Sequence, residues 1–189
     1  RAENVALSVD TCKPAVMREA LQSGADILND VTAFRHDDAV RVLADHASCG
    51  VCMMHMQGEP RTMQHAPTYN DVVKEVADEL LGCAKRVEAT GVHARRIALD
   101  VGFGVGKTLT HNYTLLRHID TVVKLGYPVL VGLSRKSMIG AVCARAVDER
   151  VYGSVAAAVM AVTLGARIVR VHDVQATRDA LAVWEAVTY

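Results

Sequence analysis

The chain has 189 residues, of which 51% are hydrophobic and 22% are charged, a composition typical of one globular domain rather than a disordered segment. Lys plus Arg and Asp plus Glu number 21 each, so there is no basic surplus for nucleic acid and no polybasic block for a membrane surface. The most apolar helical stretch, residues 155–164, is about half the length that a bilayer span requires.

Short apolar or β-branched runs alternate along the chain with longer runs of helical period. The predicted strands cover residues 5–9, 26–28, 51–54, 96–99, 129–132 and 167–171. The predicted helices cover residues 15–23, 38–47, 71–89, 110–125, 138–144, 151–164 and 177–187. The third helix has the clearest pattern, with Asn70 as its expected N-cap and Gly91 just beyond its end.

This alternation implies a parallel sheet with helices outside it. Two architectures fit at this point, an open doubly wound sheet and a (β/α)8 barrel. The predicted units average about 31 residues, and two more would bring the chain near the roughly 250 residues of a closed barrel.

Five cysteines, an odd number, are scattered through the predicted helices and strands: Cys12, Cys49, Cys52, Cys83 and Cys143. We expect them to be reduced, and because no secretory signal opens the chain we expect a cytoplasmic location. Cys49 and Cys52 have the spacing of a redox pair. A reactive pair needs a helix N-terminus to lower its pKa, and this pair instead leads into a predicted strand, so we expect a structural role.

Residues 100–108, Asp-Val-Gly-Phe-Gly-Val-Gly-Lys-Thr, superficially resemble a phosphate-binding P-loop. The P-loop pattern needs a glycine where Val101 stands, and the nearest glycine, Gly102, leaves the loop one residue short. The dinucleotide-binding fingerprint also fails, because its third glycine would come one place early. The loop therefore needs another explanation, and Asp100 stands at its entrance.

Every predicted strand ends in a charged or hydrogen-bonding group: Asp10, Asn29, His55, Asp100, Ser134 with Lys136, and Arg170 with His172. In an α/β barrel the carboxyl ends of the strands converge on one active-site mouth. Taken singly, Asp10 could begin a helix cap and Asn29 could belong to a turn. Taken together, the six strand ends predict a site.

The acidic and amide groups, Asp10, Asn29 and Asp100, suit a ligand with a dense edge of donors and acceptors, such as a nucleobase or a pterin. Arg135 and Lys136 precede a helix, where each cation opposes the helix dipole at a cost of roughly 0.3–1 kcal/mol. The basic pair therefore favours an anionic or electron-rich ligand, with a solvated Lys as the alternative.

Arg170 and His172 alternate along the last strand and so share one face, which suits a diphosphate. A core or capping role for His172 is the alternative. The residues by themselves predict a transfer reaction at a site for a flat polar ring and a phosphate ester, and they leave the ring open.

Six segments resemble, in chain order, motifs of the dihydropteroate synthase family: SVDTCKPAV, ADILNDV, MMHMQGEPRTMQ, LDVGFGVGKTLTHN, YPVLVGLSRKSMIG and RIVRVHDV. The resemblance covers nearly the whole chain; SRKSMIG and RVHDV are specific to the family, whereas the carboxylate positions are shared with other pterin-binding barrels. It implies an α/β fold, a (β/α)8 TIM barrel, with about six βα units in one domain over residues 1–189 that lacks the family's N-terminal strands. It also implies a transferase of folate biosynthesis, which condenses 6-hydroxymethyl-7,8-dihydropterin diphosphate with p-aminobenzoate to give 7,8-dihydropteroate and pyrophosphate.

The resemblance also implies a role for each matching residue. The pterin is expected to contact Asp10, Asn29, Met54, Asp100, Lys136 and Arg170. The p-aminobenzoate side is expected to contain Ser134, Lys136 and Phe103, and the diphosphate is expected to contact Arg170, Val171 and His172. Catalysis is expected of Asp100, Lys136 and Asp10. The implied cofactor is Mg²⁺, whose family asparagine lies in the missing N-terminal part, so no metal ligand is expected in this chain.

The chain departs from the family at Val101, where the family has proline, and at Val105, where it has a second aromatic residue. The first change is expected to loosen the turn and the second to trim the wall beside p-aminobenzoate. Six units would leave parallel edge strands exposed. We therefore expect this chain alone to be unstable or inactive unless a partner or the missing segment completes the barrel. The resemblance further implies a homodimer through the later helices and makes the enzyme a sulfonamide target.

Two other functions compete with the synthase. A methyltetrahydrofolate-binding methyltransferase of the same superfamily would share Asp10, Asn29 and Asp100 but has no use for a diphosphate site. A non-catalytic pterin-binding fragment is the second alternative, and it is favoured by the missing strands.

Overall fold

The computed structural model describes residues 5–46, 48–58 and 67–188. Its strands form one six-stranded parallel sheet in the order β1-β2-β3-β4-β5-β6. The strands are β1 (Ser8–Asp10), β2 (Ile27–Asp30), β3 (Gly50–Met54), β4 (Ile97–Asp100), β5 (Val129–Val131) and β6 (Ile168–Val169). A doubly wound sheet reverses its strand order at a switch point, and this sheet does not. The sheet is therefore part of a (β/α)8 TIM barrel, and the doubly wound alternative is wrong.

Helices follow the strands, as the alternating pattern predicts. They are α1 (Pro14–Gln22), α2 (Asp37–Asp45), α3 (Val72–Glu88), α4 (Leu109–Arg117), α5 (Ile119–Val123), α6 (Ser137–Cys143), α7 (Val151–Thr163) and α8 (Val174–Thr188). Short 3₁₀ turns cover Ala94–Arg96 and Val147–Glu149. Residue 47, at the end of a predicted helix, and residues 59–64 of the third resembling motif lie outside the described residues.

Two expectations about the helices are wrong. The single helix predicted over residues 110–125 is broken at His118, whose φ of −116° and ψ of 27° are not helical. The N-cap of α3 is Asp71 rather than Asn70, because the Asp71 carboxylate accepts hydrogen bonds from the backbone N–H groups of Val73 and Lys74. Gly91 does follow the end of α3, with a φ of +95°.

The hydrophobic core lies between the sheet and the surrounding helices. The central strand β3 is buried along most of its length, as expected for a parallel sheet covered on both faces. Phe34, Leu43, Leu80 and Leu99 are fully buried in this layer. The core thus fixes the strands from the side that faces the helices.

The concave face of the sheet lines a cavity of about 540 Å³ that includes Asn29, Cys52, Leu130 and Arg170. Within the described part of the chain, β1 and β6 are the two edges of the sheet. Ile168 on β6 is 40% exposed. The cavity is the bore of an incompletely closed barrel, and its upper end is where the polar strand ends meet.

The cysteines are free, and the surroundings of Cys49 and Cys52 do not favour redox reactivity. Cys49 and Cys52 are both buried, and burial raises the pKa of each thiol. The structural role expected for this pair is consistent with that shift. In the described residues, no helix has the length and apolarity needed to cross a membrane.

Candidate active site

The glycine-rich loop after β4 is shaped by contact with the end of β3. Gly102 has a φ of +68°, and a Cβ at this position would collide with the carbonyl oxygen of His55. Its backbone N–H donates to Oδ1 of Asp100 at 2.8 Å. The loop therefore turns tightly in order to hold the strand-end carboxylate, which answers the question raised by the failed P-loop pattern.

Asp100 is only 1% exposed. Its Oδ2 atom is buried and has no hydrogen-bond partner among the described residues, and the nearest cation is Nη2 of Arg170 at 3.6 Å. Burial raises the pKa of Asp100, while the Gly102 N–H group and the charges of Arg170, Lys136 and Lys107 lower it. A buried acceptor without a partner is costly, so Oδ2 is a place where a ligand's N–H group would be stabilised.

Asn29 and Asp10 form a second part of the same mouth. Nδ2 of Asn29 donates to Oδ2 of Asp10 at 3.1 Å, which leaves Oδ1 of Asn29 buried and without a partner in the described chain. The helix-cap alternative for Asp10 is wrong, because the N-cap of α1 is Lys13. Asn29 lies within β2, and the turn expected near Asn29 and Asp30 follows that strand, where the Asp30 carboxylate accepts from Thr32.

Arg170, at the end of β6, crosses the mouth. Its guanidinium lies 3.5 Å from Oδ2 of Asp10 and 3.6 Å from Oδ2 of Asp100. It also lies over Gly132, where an added Cβ would be 3.2 Å from Nη2. A glycine at this position of the β5 end thus leaves the space in which one cation can face both carboxylates.

The two basic residues before α6 point in different directions. Lys136 is half-buried and packs over Gly104, where an added Cβ would be 3.0 Å from its Cδ. Burial lowers the pKa of Lys136 and Asp100 raises it. Arg135 instead forms two hydrogen bonds with Asp173, at 2.6 and 3.1 Å. The solvated-Lys alternative is therefore wrong for Lys136, and only this member of the pair faces the site.

A small cavity of about 250 Å³ adjoins these groups, and its lining is Gly132, Ser134, Lys136, Arg170, Val171 and His172. Oγ of Ser134 accepts from the backbone N–H of His172 at 3.2 Å and lies 3.0 Å from its Nδ1. His172 is exposed rather than in the core, so the core alternative is wrong. The lining contains two cations, a histidine and a hydroxyl but no carboxylate, which suits a phosphate anion.

Two other predicted contacts, Met54 and Phe103, are buried. Met54 ends β3 and is 4% exposed. Phe103 is 1% exposed and belongs to the hydrophobic core, so it offers little surface to a ligand in this conformation. Its place beside p-aminobenzoate stays a prediction.

The sequence indicates no role for Lys107 beyond its place in the failed P-loop pattern. Lys107 is 5% exposed, and its Nζ lies 3.1 Å from Nδ1 of His55. Nε2 of His55 in turn lies 3.3 Å from the carboxylate of Glu79 on α3. His55, a predicted strand-end group, thus faces this buried network and not the mouth.

Comparisons with known proteins place these features in a wider group. The family described as pterin binding enzyme matches residues 1–172. Dihydropteroate synthase of Neisseria meningitidis serogroup C is 51% identical over 186 residues, 97% of this chain and 66% of that protein. The enzyme of Escherichia coli K12 is 46% identical over 180 residues, 95% of this chain and 64% of that protein. The chain thus spans slightly less than two thirds of the length of these curated relatives.

Solved structures agree. Dihydropteroate synthase of Thermus thermophilus in complex with 6HMPPP is 49% identical with a TM-score of 0.94, covering 98% of this chain and 73% of that one. The Xanthomonas albilineans enzyme in complex with 7,8-dihydropteroate is 45% identical with a TM-score of 0.92, covering 98% of this chain and 68% of that one.

Proposed function

Since this chain belongs to the pterin-binding enzyme family, we propose that it acts as a dihydropteroate synthase. The reaction joins 6-hydroxymethyl-7,8-dihydropterin diphosphate to p-aminobenzoate and releases pyrophosphate. One observation carries the proposal above all. Two buried acceptors without hydrogen-bond partners in the described chain, Oδ1 of Asn29 and Oδ2 of Asp100, lie beside a cavity lined by cations.

The acceptors suit the pterin. Its ring edge carries N–H donors, which would satisfy the orphan oxygens of Asn29 and Asp100 and remove the cost of leaving them unpaired. Asp10 and Arg170 would complete the polar rim, and Met54 would line the slot. The Thermus thermophilus relative in complex with 6HMPPP supports this assignment by similarity.

The cation-lined cavity suits the diphosphate. Arg170, His172, the Ser134 hydroxyl and Lys136 would stabilise the negative charge that develops as the C–O bond breaks and its electron pair passes to pyrophosphate. The dihydropterin methylene carbon gains positive charge in the same step, and Asp100 and Asp10 would stabilise it. The arylamine nitrogen then forms the C–N bond and loses a proton, so no protein nucleophile is needed.

We propose that Mg²⁺ binds together with the diphosphate. No group of three His, Cys, Asp or Glu side chains among the described residues is arranged to hold a metal ion, and the anion cavity has no carboxylate. The described residues therefore do not fit a dedicated magnesium site, and no step proposed for this chain passes through the metal.

The second substrate is proposed to lie near Ser134, Lys136 and Phe103. A Thermus thermophilus dihydropteroate synthase structure contains 4-aminobenzoate, and a Yersinia pestis structure contains a sulfonamide drug. We propose by similarity that sulfonamides compete with p-aminobenzoate in this protein.

We also propose a homodimer and a cytoplasmic location. Tyr152 and Met160, two turns apart on α7, are 85% and 57% exposed, and such a face is typical of a subunit contact. Five free cysteines are typical of a reducing compartment.

The competing functions are less well supported. A methyltransferase that binds methyltetrahydrofolate has no need for the cations around His172. A pterin binder without catalysis would need the orphan acceptors but not the anion cavity. The identities of 46–51% to dihydropteroate synthases favour the synthase over both.

The decisive experiment measures p-aminobenzoate-dependent pyrophosphate release from the dihydropterin diphosphate, with Mg²⁺ present, for the chain and for Asp100→Asn. We expect Asp100→Asn to lose about tenfold to hundredfold in pterin affinity, because it replaces a charged acceptor, and to lose turnover as well. Asp120→Asn, on the exposed surface of α5, is the matched control and should leave both unchanged. Pyrophosphate release would contradict the expectation that six βα units alone are inactive. Without release, the family assignment stands only if the chain still binds the pterin, as an incomplete synthase or a non-catalytic binder would. If Asp100→Asn kept full activity, the proposed site would be wrong.

A further inference from the structure

We propose that Lys107 is a positioning residue, whose buried ammonium holds the loop of residues 102–106 against His55 and thereby keeps the Gly102 N–H group aligned on Asp100. Glu79 takes part by fixing the ring of His55 in the orientation and protonation state that accept from Lys107. This inference rests on the proposed function, because it assigns a role in pterin binding at the same site.

The surroundings of the Lys107 ammonium consist of acceptors. Its Nζ lies 3.1 Å from the carbonyl oxygen of Gly102, 3.0 Å from that of Val105 and 3.1 Å from Nδ1 of His55. The carbonyl oxygen of His55 is a fourth acceptor at 3.4 Å. An ammonium has three N–H groups, so it can satisfy the three nearer acceptors at once. It thereby ties both ends of the glycine turn to the end of β3.

The state of His55 follows from its other neighbour. Burial lowers the pKa of His55, which favours the neutral ring. Burial would raise the pKa of Glu79, but hydrogen bonds from His55 and Arg35 and the charge of Arg35 lower it to about 2, so Glu79 is ionised. A carboxylate only accepts, so the ring proton must be on Nε2, 3.3 Å from Glu79. Nδ1 is then a bare acceptor, and Lys107 must donate to it.

The same network joins segments that follow different strands. Arg35, after β2, pairs with Glu79 on α3 and donates to the carbonyl of Met56, after β3, at 2.7 Å. The Tyr69 hydroxyl donates to the carbonyl of Gly106 at 2.9 Å. The loop that holds Asp100 is therefore anchored to the segment after β3 and, through His55 and Glu79, to α3.

The charge of Lys107 also acts on Asp100. The pKa of Lys107 is lowered to about 7, mainly by burial and also by the charge of Lys136. The charges of Asp100 and Glu79 act in the opposite direction and raise it. Lys107 in turn lowers the pKa of Asp100. The groups that face Lys107 are thus His55 at the end of β3, Glu79 on α3, Asp100 on β4 and Lys136 before α6. Loss of the Lys107 proton would remove a donor from the loop and a cation from beside Asp100.

A positioning role and a purely structural role for Lys107 predict different effects of a substitution on ligand binding. The substitution Lys107→Met leaves the acceptors around the ammonium without a donor, so a loss of stability is expected under either role. If Lys107 positions Asp100, the substitution Lys107→Met should weaken pterin binding while leaving the cation-lined cavity around Arg170 and His172 unaffected. A purely structural role would instead weaken the binding of both ligands together.

The test compares the chain with Lys107→Met by calorimetric titration of two probes, 6-hydroxymethylpterin and inorganic pyrophosphate. We expect Lys107→Met to lose about tenfold or more in pterin affinity, with pyrophosphate affinity unchanged within twofold. Lys124→Met, an exposed lysine on the surface after α5, is the matched control and should bind both probes normally. Glu79→Gln provides a second test if Lys107→Met fails to fold. It keeps Lys107 but removes the carboxylate that holds the His55 ring proton on Nε2. It should show the same selective loss of pterin affinity.

A pH series adds a readout that a structural role would not move. Pterin affinity of the unmodified chain should fall as the pH rises through about 7, whereas Lys107→Met should have a weaker and flatter profile over the same range. Unchanged pterin affinity in a folded Lys107→Met chain, or parallel loss of both probes, would overturn the inference. If the unmodified chain binds pyrophosphate but no pterin, the proposed function itself is wrong and the inference is wrong with it.

Discussion

At Gly102 the end of β4 lies so close to the end of β3 that there is no room for a side chain. The positive φ of +68° adds a second reason for glycine. We expect Gly102→Ala to cost roughly 1–3 kcal/mol from backbone strain alone and to displace the N–H group that binds Asp100. Urea unfolding and pterin titration should therefore both show a loss, with pterin affinity falling at least tenfold.

Gly91→Ala is the control for this substitution. Gly91 also has a positive φ, +95°, but an added Cβ would meet nothing within 4 Å. The variant should therefore lose a comparable amount of stability to strain while pterin affinity stays unchanged. Equal losses of affinity in both variants would contradict a specific contact between Gly102 and Asp100.

Lys136 illustrates a conflict between stability and function. Burial lowers its pKa in the folded chain, so the unfolded chain binds this proton more readily. The ammonium therefore costs folding free energy at any pH below its lowered pKa, and the cost disappears as the pH rises toward the ordinary value for lysine.

We accordingly expect Lys136→Met to unfold at a higher urea concentration at neutral pH but to bind pyrophosphate about tenfold to hundredfold less tightly. Lys136→Arg, which keeps the positive charge, should lose less pyrophosphate affinity. At alkaline pH it should keep that affinity, whereas the parent chain should lose it as Lys136 is deprotonated. A Lys136→Met chain with unchanged pyrophosphate affinity would remove Lys136 from the anion site.

Some of these roles could be predicted from the chain and others could not. Asp100, Asn29 and Arg170 follow strands in a regular pattern, and that pattern is visible without coordinates. Lys107 gives no such signal, because most of its acceptors are backbone carbonyls and its histidine partner is 52 residues away in sequence. The buried network appears only when the loops are brought together.

At the scale of elements, the loop between β5 and α6 depends on a contact with the segment before α8. Arg135 has a φ of +58°, unusual for a residue with a side chain, and its guanidinium binds Asp173. The hydrogen bond with Arg135 lowers the pKa of Asp173, so the carboxylate remains ionised well into the acid range. The pair fixes the turn from which Lys136 reaches the site.

We expect Asp173→Asn to weaken pyrophosphate binding about threefold to tenfold, since it loosens the turn without removing a ligand contact. Added salt should narrow the difference between variant and parent, because salt screens a partly exposed ion pair. Asp179→Asn, an exposed carboxylate on α8, is the control. Identical affinities for Asp173→Asn and the parent would show that the turn needs no support from Arg135.

The bounds of the elements were less predictable than their existence. The helix predicted over residues 110–125 divides at His118 without a glycine or proline to mark the break. The predicted edge strands were also too long: β1 covers Ser8–Asp10 and β6 covers only Ile168–Val169. An edge strand has one neighbour to hydrogen-bond with, so fewer of its residues are held in strand geometry than its apolar pattern suggests.

At the scale of the molecule, the exposed residues of α7 recur with helical spacing. Tyr152 is 85% exposed and Met160, eight residues later on the same side, is 57% exposed. We expect the chain to be a dimer in analytical ultracentrifugation and Tyr152→Asp to shift it to the monomer, because a buried unpaired charge opposes association. Val16→Asp, on an exposed valine of α1, should leave the dimer intact. A monomeric parent chain would contradict the proposed contact.

The architecture as a whole was predictable because it depends on alternation and not on particular contacts. The strand and helix periods specify a parallel sheet, but they do not distinguish a barrel from an open doubly wound sheet. The strand order resolves that choice, and it depends on how units pack around the bore, where distant residues such as Asn29 and Arg170 line one cavity.

That strand order also bears on how the chain is made. Consecutive strands along the chain are neighbours in the described sheet, from β1 through β6. A unit leaving the ribosome therefore finds its partner already present, and the sheet can grow in the direction of synthesis without waiting for a distant segment. Such growth keeps loop-closure costs small and limits the time for which an unpaired edge is exposed to other nascent chains.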